Sequence, residues 1–247
     1  MQAKNINEVI SIIDSIIIES KTNQSPLGYF AALYKKVTVQ VKEGIESGSF
    51  EDGVRMEKLD VIFANRYLHA YFAYQKNETI TNSWQKVFDA STRYWPIVLQ
   101  HLLLGMNVHI SLDLGIAAAE VTKNENISTL EGDFNKINEI LSSLVNEVEN
   151  DLAQIWPTLK VILKWTRKVD NFLVDFSMEL ARNGAWGFAK AIHEAAAENQ
   201  ALLIKERDEK ISKRANLIIN TGFIGNMIFG IIRLGERGSV ADKIAVL

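Results

Sequence analysis

The sequence between residues 99 and 120, LQHLLLGMNVHISLDLGIAAAE, constrains the fold more than any other part of the chain. When it is drawn as a helix, apolar side chains cover every side, and a helix that is apolar all round belongs in a protein interior. Two histidines, an asparagine, an aspartate and a glutamate nevertheless lie inside it. Because a buried polar group is costly unless another group pairs with it, this segment predicts a buried central helix that carries a paired polar cluster.

The rest of the chain also reads as helices. Apolar residues recur at three- and four-residue spacings in almost every segment, and no convincing strand-type alternation occurs. Only three prolines interrupt the pattern; Pro96 is expected to start the central helix, which would run to about Val121, and Pro157 to start a later helix. No internal repeat or linker is visible. The sequence predicts one all-α domain over residues 1–247, with eight to ten helices around a buried central helix of about residues 96–121.

Composition excludes several classes of function. The chain has no cysteine, which rules out disulfides, thiolate metal sites and a cysteine nucleophile. Its formal net charge is −3, and charges of both signs are interspersed without a basic block, so no nucleic-acid partner is expected. Glu8 and Asp14 interrupt the apolar N-terminal segment, which favours an amphipathic first helix over a signal peptide. We therefore expect a cytoplasmic protein.

The segment of residues 216–234 is apolar enough to require its own interpretation. Its apolar length of about 18 residues is near the lower limit for crossing a membrane. Asn216, Asn220 and Asn226 interrupt it, and several glycines weaken the helix. Three interpretations stay open: a buried or dimer-forming helix, a helix in contact with a membrane surface, and a transmembrane span. A homodimer partner and a membrane surface are thus both candidates.

The polar residues of the central helix fall on a predicted stripe. At about 100° per residue, Asp113 lies about 40° and Glu120 about 20° from His109, while His101 is about 80° away. A histidine and an aspartate one turn apart have three uses. They form a satisfied core pair, they contribute two ligands to a site for Zn, Fe or Mn, or the aspartate orients the histidine for acid–base chemistry. The candidate metal ligands are His109, Asp113, Glu120 and His101.

The predicted third helix contributes one more candidate. Asp60, in the stretch RMEKLDVIFANRY of residues 55–67, shares a face with apolar neighbours and therefore needs a partner. Either Arg66 or Arg55 pairs with it, or it faces His109 across the bundle. The candidate catalytic residues are His109, Asp113 and Asp60.

Several motifs resemble those of a bacterial domain-of-unknown-function family of about this length. They are LGYFAALY, RMExLDVxFANRY and LQHLLLGMNxHIxLDLG, followed by DFNKIN and ARNGAW. The resemblance covers most of the chain and implies an all-helical fold without an established activity. The family form reads His-Ile-Asn-Leu-Asp where this chain has Ser111, so any role of that asparagine would fall to a serine hydroxyl.

The central helix is also similar to zinc-dependent phospholipase C and related helical nucleases, which carry a Leu-Gly-x-x-x-His-x-x-x-Asp stretch. Leu104, Gly105, His109 and Asp113 match it, but Ala119 stands where the next histidine of that family is expected. The similarity therefore implies a mononuclear or dinuclear site rich in carboxylate rather than a trinuclear zinc centre.

The leading hypothesis is an enzyme with a buried His/Asp pocket. His109 and Asp113 would build it, with Asp60, His101 and Glu120 as helpers, and the chemistry would be metal-assisted hydrolysis or oxidation of a small apolar substrate. The alternatives are a non-catalytic carrier of an apolar small molecule or lipid, in a cavity lined by methionine and aromatic side chains, and a structural protein that dimerises through its C-terminal helix.

Overall fold

The computed structural model describes residues 2–156 and 178–247, and their regular structure is entirely helical. The described helices are α1 (Ile6–Thr22), α2 (Leu27–Glu46), α3 (Gly53–Gln75), α4 (Asn82–Ala90), α5 (Val98–Val108), α6 (Leu114–Val121), α7 (Glu131–Ile155), α8 (Met178–Glu194), α9 (Ala197–Ile219), α10 (Gly222–Gly235) and α11 (Val240–Val246). A π-helical turn, His109–Asp113, joins α5 to α6, and a 3-10 turn, Ile127–Leu130, precedes α7. The predicted all-α single-domain fold is confirmed, while the predicted helix start at Pro157 lies outside the described residues.

The central helix is continuous from Val98 to Val121, because the π turn links α5 and α6 without a break. Every residue between Val98 and Ala119 except Met106 is buried, which confirms the prediction of a buried central helix. This helix is long and apolar enough to cross a membrane, but 94% of its apolar window is buried inside the protein, as in the core helix of a globular fold. If α5, the π turn and α6 are counted as one, ten described helices make up the bundle.

Two glycines let neighbouring helices approach the central helix closely. A Cβ atom on Gly105 would overlap the ring of Phe30 on α2. A Cβ atom on Gly115 would lie 2.8 Å from the ring of Phe188 and 2.9 Å from the carbonyl oxygen of Ala185, both on α8. The absence of a side chain at these positions therefore sets the distance of α2 and α8 from the centre of the bundle.

The apolar C-terminal segment divides into two helices. The chain bends by 64° between α9 and α10, at Asn220 and Thr221. On α10 only Phe229 and Ile232 are buried, whereas Ile244 of α11 inserts beside Gly28 of α2. One face of α10 thus attaches to the bundle, and its other face remains exposed.

Candidate active site

Asp113 lies at the end of the π turn, and its carboxylate meets three hydrogen-bond donors. Oδ1 accepts from Nε of Arg66 at 2.8 Å, while Oδ2 accepts from Nε1 of Trp84 at 2.9 Å and lies 3.1 Å from Nδ1 of His109. Burial alone would raise the pKa of Asp113, but the Arg66 charge and the two other donors outweigh it and lower the pKa. Asp113 is therefore charged at neutral pH, and both of its oxygens are occupied.

His109, in contrast, is neutral at neutral pH. Burial lowers the pKa of His109; the contact with Asp113 opposes this effect, and the Arg66 charge adds to it. A neutral imidazole beside a charged carboxylate donates from the nitrogen that faces it, so we assign the proton to Nδ1 and the lone pair to Nε2. Nε2 is buried and has no hydrogen-bond partner among the described residues.

Aromatic rings from α2 and α3 enclose this imidazole. The ring of Phe63 stacks on it with the centroids 3.6 Å apart and the planes 9° from parallel. The ring of Tyr34 lies 4.5 Å away and nearly perpendicular, and that of Tyr67 lies 6.0 Å away. Phe63 and Arg66 are only partly buried, so the α3 side is the part of the site nearest to solvent.

Four buried polar atoms of α2, α3 and the π turn lack a hydrogen bond of ordinary geometry in the described part of the chain. They are His109 Nε2, the hydroxyls of Tyr34 and Tyr67, and Oδ2 of Asp60. The Tyr34 and Tyr67 rings both lie against the His109 imidazole, whereas Asp60 is linked to this region through the effect of its charge on Tyr34. Native proteins satisfy the large majority of buried side-chain polar atoms. Such atoms therefore mark positions where a bound molecule or water would supply the missing partners.

The ionisable members of this cluster have strongly shifted pKa values. Burial raises the pKa of Asp60 to about 7, and the Glu57 charge adds to the effect. Burial also raises the pKa of Tyr34 well above its usual value; the Asp60 charge acts in the same direction, and the Thr38 hydroxyl opposes both. Burial raises the pKa of Tyr67 as well. Asp60 therefore titrates near neutral pH, while both phenols stay protonated.

The predicted arginine partners of Asp60 bind elsewhere. Arg66 donates to Asp113, and Arg55 donates to the hydroxyl and the carbonyl oxygen of Thr129. Neither arginine forms an ion pair with Asp60 among the described residues, and the alternative, that Asp60 faces His109 across the bundle, stays a prediction.

The π turn also changes the surroundings of the site. Its wider ring is closed by the Leu114 N–H, which donates to the carbonyl oxygen of His109. The carbonyl oxygen of Ser111 accepts instead from Nε of Arg207 on α9 at 2.9 Å, and the Ser111 hydroxyl is another buried atom without a described partner. Single π turns inside α-helices are frequent at functional sites.

Comparison with known protein families gives a match that covers most of the chain. Residues 6–221 match a family of unknown function, DUF5995. The chain belongs to DUF5995. No curated protein and no solved structure matches it. The resemblance to an uncharacterised family is therefore confirmed, whereas no match accompanies the similarity to zinc-dependent phospholipase C. Because the family has no assigned activity, the function of this DUF5995 protein must be argued from its site.

Two predicted members of the site lie apart from it in this DUF5995 structure. Glu120 is exposed, because the π turn holds one residue more than an α turn and rotates the next helix, α6, by about 100°. His101 is buried with its ring 5.5 Å from that of Tyr29. Burial, together with the Arg233 and Lys243 charges, lowers the pKa of His101 to about 3. The predicted stripe therefore reduces to His109 and Asp113.

The donor groups do not fit the predicted metal site. Among the described residues of this DUF5995 chain, no three His, Asp or Glu side chains lie close enough to hold one ion. Hydrogen bonds occupy both oxygens of Asp113, and neither Glu120 nor His101 reaches the pair. The expectation of Zn, Fe or Mn therefore finds no support in this part of the chain.

Proposed function

We propose that this DUF5995 protein is a hydrolase of small, weakly polar acyl compounds and that His109 is its general base. The observation that carries the proposal is the state of the imidazole. Its Nδ1 is held by a charged carboxylate, while its Nε2 lone pair is buried and faces no described partner. A base needs this arrangement, because one nitrogen must be fixed and the other must be open to the reacting proton.

The surrounding charges support proton transfer to His109. When Nε2 takes a proton from an attacking water, the imidazolium that forms faces the Asp113 carboxylate at 3.1 Å. Asp113 stays ionised because Arg66 and Trp84 donate to it, so it orients the ring and stabilises the positive charge without taking the proton. Asp113 is therefore a positioning residue.

Tyr34, Tyr67 and Asp60 would complete the reaction. The two phenols stay protonated, and their unpartnered hydroxyls are suited to donate to the oxyanion that develops on an attacked carbonyl. Asp60 has a pKa of about 7, which suits a group that protonates the leaving oxygen at neutral pH. Base, oxyanion donors and acid thus come from α2, α3 and the π turn.

The walls of the site indicate the substrate class. Phe63, Tyr34 and Tyr67 surround the imidazole, and the nearest cationic side chain, Arg66, is engaged with Asp113. Such a site favours a neutral, largely apolar molecule over a phosphate or a carboxylate, because a buried anion would lack a free counter-charge.

The test is hydrolysis of p-nitrophenyl acetate and p-nitrophenyl butyrate. We expect turnover above the buffer rate, and His109→Gln should lower kcat/KM by about 10²–10⁴-fold, the usual contribution of a general base. The matched control is His69→Gln, which removes an exposed histidine of α3 and should leave kcat/KM unchanged. Tyr34→Phe, which removes only one hydroxyl, should lower kcat more than it raises KM.

Two results would overturn the proposal. One is the absence of turnover above the buffer rate, and the other is turnover that His109→Gln and His69→Gln leave equally unaffected. Native mass spectrometry separates the alternatives in that event: a co-purified lipid would support the carrier, and an empty, unreactive protein would make His109 and Asp113 a core pair. Circular dichroism of each variant shows whether the loss is chemical or a loss of fold.

A further inference from the structure

The outward face of α10 is an apolar stripe. At about 100° per residue, five side chains fall within an arc of about 100°. All five are exposed, from 46% for Ile224 to 86% for Phe223: Phe223, Ile224, Met227, Ile231 and Leu234. The helix attaches to the bundle through Phe229 and Ile232 on its other side. Exposed apolar patches of this kind mark interaction sites, so α10 presents a surface that needs an occupant.

Two exposed aromatic side chains lie near the C-terminal part of α10, where Tyr94 contacts Arg233 about 80° from the edge of the stripe. Nε of Arg233, on α10, donates to the carbonyl oxygen of Tyr94 at 2.7 Å, and its guanidinium lies 4.9 Å from the Tyr94 ring. The next residue, Trp95, is 61% exposed. Tyrosine and tryptophan are the side chains that are enriched where a protein meets the boundary between lipid headgroups and acyl chains.

The segment that carries the stripe is basic, although the whole chain has a net charge of −3. Between residues 210 and 237 it has five basic residues, namely Lys210, Lys213, Arg214, Arg233 and Arg237. The single acidic residue in this segment is Glu236, whose side chain is buried and paired with Arg233 and Lys243. Lys86, whose Nζ donates to Asn216 at 2.8 Å, adds positive charge at the end of α9. An apolar stripe with basic flanks is typical of helices that lie on anionic membranes.

We propose that α10 is a membrane-docking helix that lies in the surface of an anionic lipid bilayer, with Tyr94 and Trp95 beside it in the headgroup region. A second copy of the chain is the less suitable occupant, because face-to-face pairing would bring two basic segments together. α10 alone is too short to span a bilayer, since 14 residues extend about 21 Å against the roughly 30 Å of a bilayer core, and a bend of 64° separates it from α9. The proposal does not depend on the reaction at His109.

The test is sedimentation with lipid vesicles, compared between the native chain and two triple variants. Phe223→Ser, Met227→Ser and Leu234→Ser together remove much of the stripe, and because these side chains are exposed the fold should persist. The matched control removes three equally exposed apolar side chains elsewhere: Ile18→Ser, Val54→Ser and Leu202→Ser. The vesicles are phosphatidylcholine alone and phosphatidylcholine with about 30% phosphatidylglycerol, at NaCl concentrations of about 0.05 M and 0.5 M.

The native chain should bind the anionic vesicles, more weakly at the higher salt concentration and more weakly still to phosphatidylcholine alone. The stripe variant should bind at least about tenfold more weakly than the native chain, and the control variant should bind as the native chain does. Brominated lipids should quench part of the fluorescence of the native chain, and Trp95→Phe should abolish that part. Since His109→Gln leaves α10 intact, it should bind vesicles normally even if ester hydrolysis is lost.

Three results would overturn the proposal. The native chain could fail to bind anionic vesicles, it could bind both kinds of vesicle equally at both salt concentrations, or the control variant could lose as much binding as the stripe variant. Sedimentation velocity without lipid identifies the competing occupant: a dimer that only the stripe variant dissociates would assign this face to a second copy of the chain.

Discussion

A carboxylate that is 1% exposed and still charged, such as Asp113, requires its charge to be balanced inside the protein. Arg66 supplies the balancing charge, and Trp84 and His109 supply the remaining hydrogen bonds. Removal of the carboxylate would leave a guanidinium that is only 28% exposed and two buried N–H groups without an acceptor. The residue therefore contributes to stability as well as to the position of the imidazole.

We expect Asp113→Ala to lower the free energy of unfolding by about 3–5 kcal/mol, the usual cost of removing one member of a buried ion pair. Guanidinium denaturation measures the change. Glu120→Ala is the control: this exposed carboxylate lies on the same helix, and its loss should change stability by no more than about 0.5 kcal/mol. A loss below about 1 kcal/mol for Asp113→Ala would show that the carboxylate is not the acceptor that holds these donors.

Asp60 leads to a prediction about pH. Its pKa of about 7 in the folded protein lies above the value near 3.9 of an unfolded chain, so folding favours the protonated form. As the pH rises from about 4 to 7, the unfolded chain loses this proton first, and stability falls across that window and is constant above it. The buried His101, with a pKa of about 3, acts in the opposite direction. Between about pH 3 and about pH 6.5 the histidine is protonated in the unfolded chain but neutral in the folded protein, so the stability of the folded protein rises with pH.

The difference between the native chain and Asp60→Asn isolates this contribution, because the histidine effects cancel. We expect the variant to gain stability relative to the native chain as the pH rises from about 4 to 7, by up to about 4 kcal/mol at 1.36 kcal/mol per pKa unit. Urea denaturation at pH 4, 5.5 and 8 measures it. A difference that does not change with pH would contradict a raised pKa at Asp60.

At this scale the sequence predicts contacts along one helix and misses contacts between helices. The spacing of His109 and Asp113 predicts their contact because residues four apart face each other on a helix. The pairing of Arg66 with Asp113 joins residues 47 positions apart, and no local spacing encodes it. Tyr34 and Tyr67 read as ordinary core aromatics in the sequence, and only their unpartnered hydroxyls distinguish them.

At the scale of elements, the approach of α2 to the central helix depends on Gly105. A Cβ atom at this position would overlap the Phe30 ring, and that ring also packs edge-on against His109 at 5.8 Å. Gly187, on α8, lies in a helix too, but a Cβ atom there would have no neighbour within 4 Å. A comparison of substitutions at the two glycines therefore distinguishes the effect of close packing from that of helix propensity.

Gly105→Ala should lower the free energy of unfolding by about 1–3 kcal/mol because the core is overpacked. Gly187→Ala should raise it by about 0.5–1 kcal/mol, since alanine restricts the unfolded chain and suits an exposed helix. Chemical denaturation of both variants under one set of conditions provides the comparison. If both substitutions stabilised the protein, α2 would not be held close to α5 by the missing side chain.

Element types follow from the 3.6-residue period, but the π turn does not. The sequence predicts a regular helix from Pro96 to Val121, whereas the helix begins at Val98 and widens by one residue at His109–Asp113. That single residue removes Glu120 from the predicted stripe. Apolar periodicity is too coarse to detect such an insertion in a helix that is buried on all sides, because every rotation of it remains apolar.

At the scale of the whole molecule, the C-terminal segment is tied to the start of the central helix. Oε1 of Glu236 accepts from the backbone N–H of Val98 at 2.7 Å, and Oε2 accepts from Arg233 at 2.8 Å and Lys243 at 3.0 Å. The backbone N–H of Arg237 also donates to the carbonyl oxygen of Ile155 at the end of α7. The match to DUF5995 ends at residue 221, yet residues beyond it connect the start of α5, the end of α7 and α11.

Glu236→Ala tests whether these parts unfold together. The substitution leaves the Val98 N–H without its acceptor and Lys243, whose side chain is 5% exposed, without its carboxylate, so we expect a loss of about 3–5 kcal/mol. Tryptophan fluorescence and circular dichroism during denaturation should give one shared, shifted transition, because the contact joins α10 and α11 to the core. Glu206→Ala, at an exposed position on α9, should leave the transition in place. Two separate transitions in the Glu236 variant would instead show that α10 and α11 detach while the remaining helices stay folded.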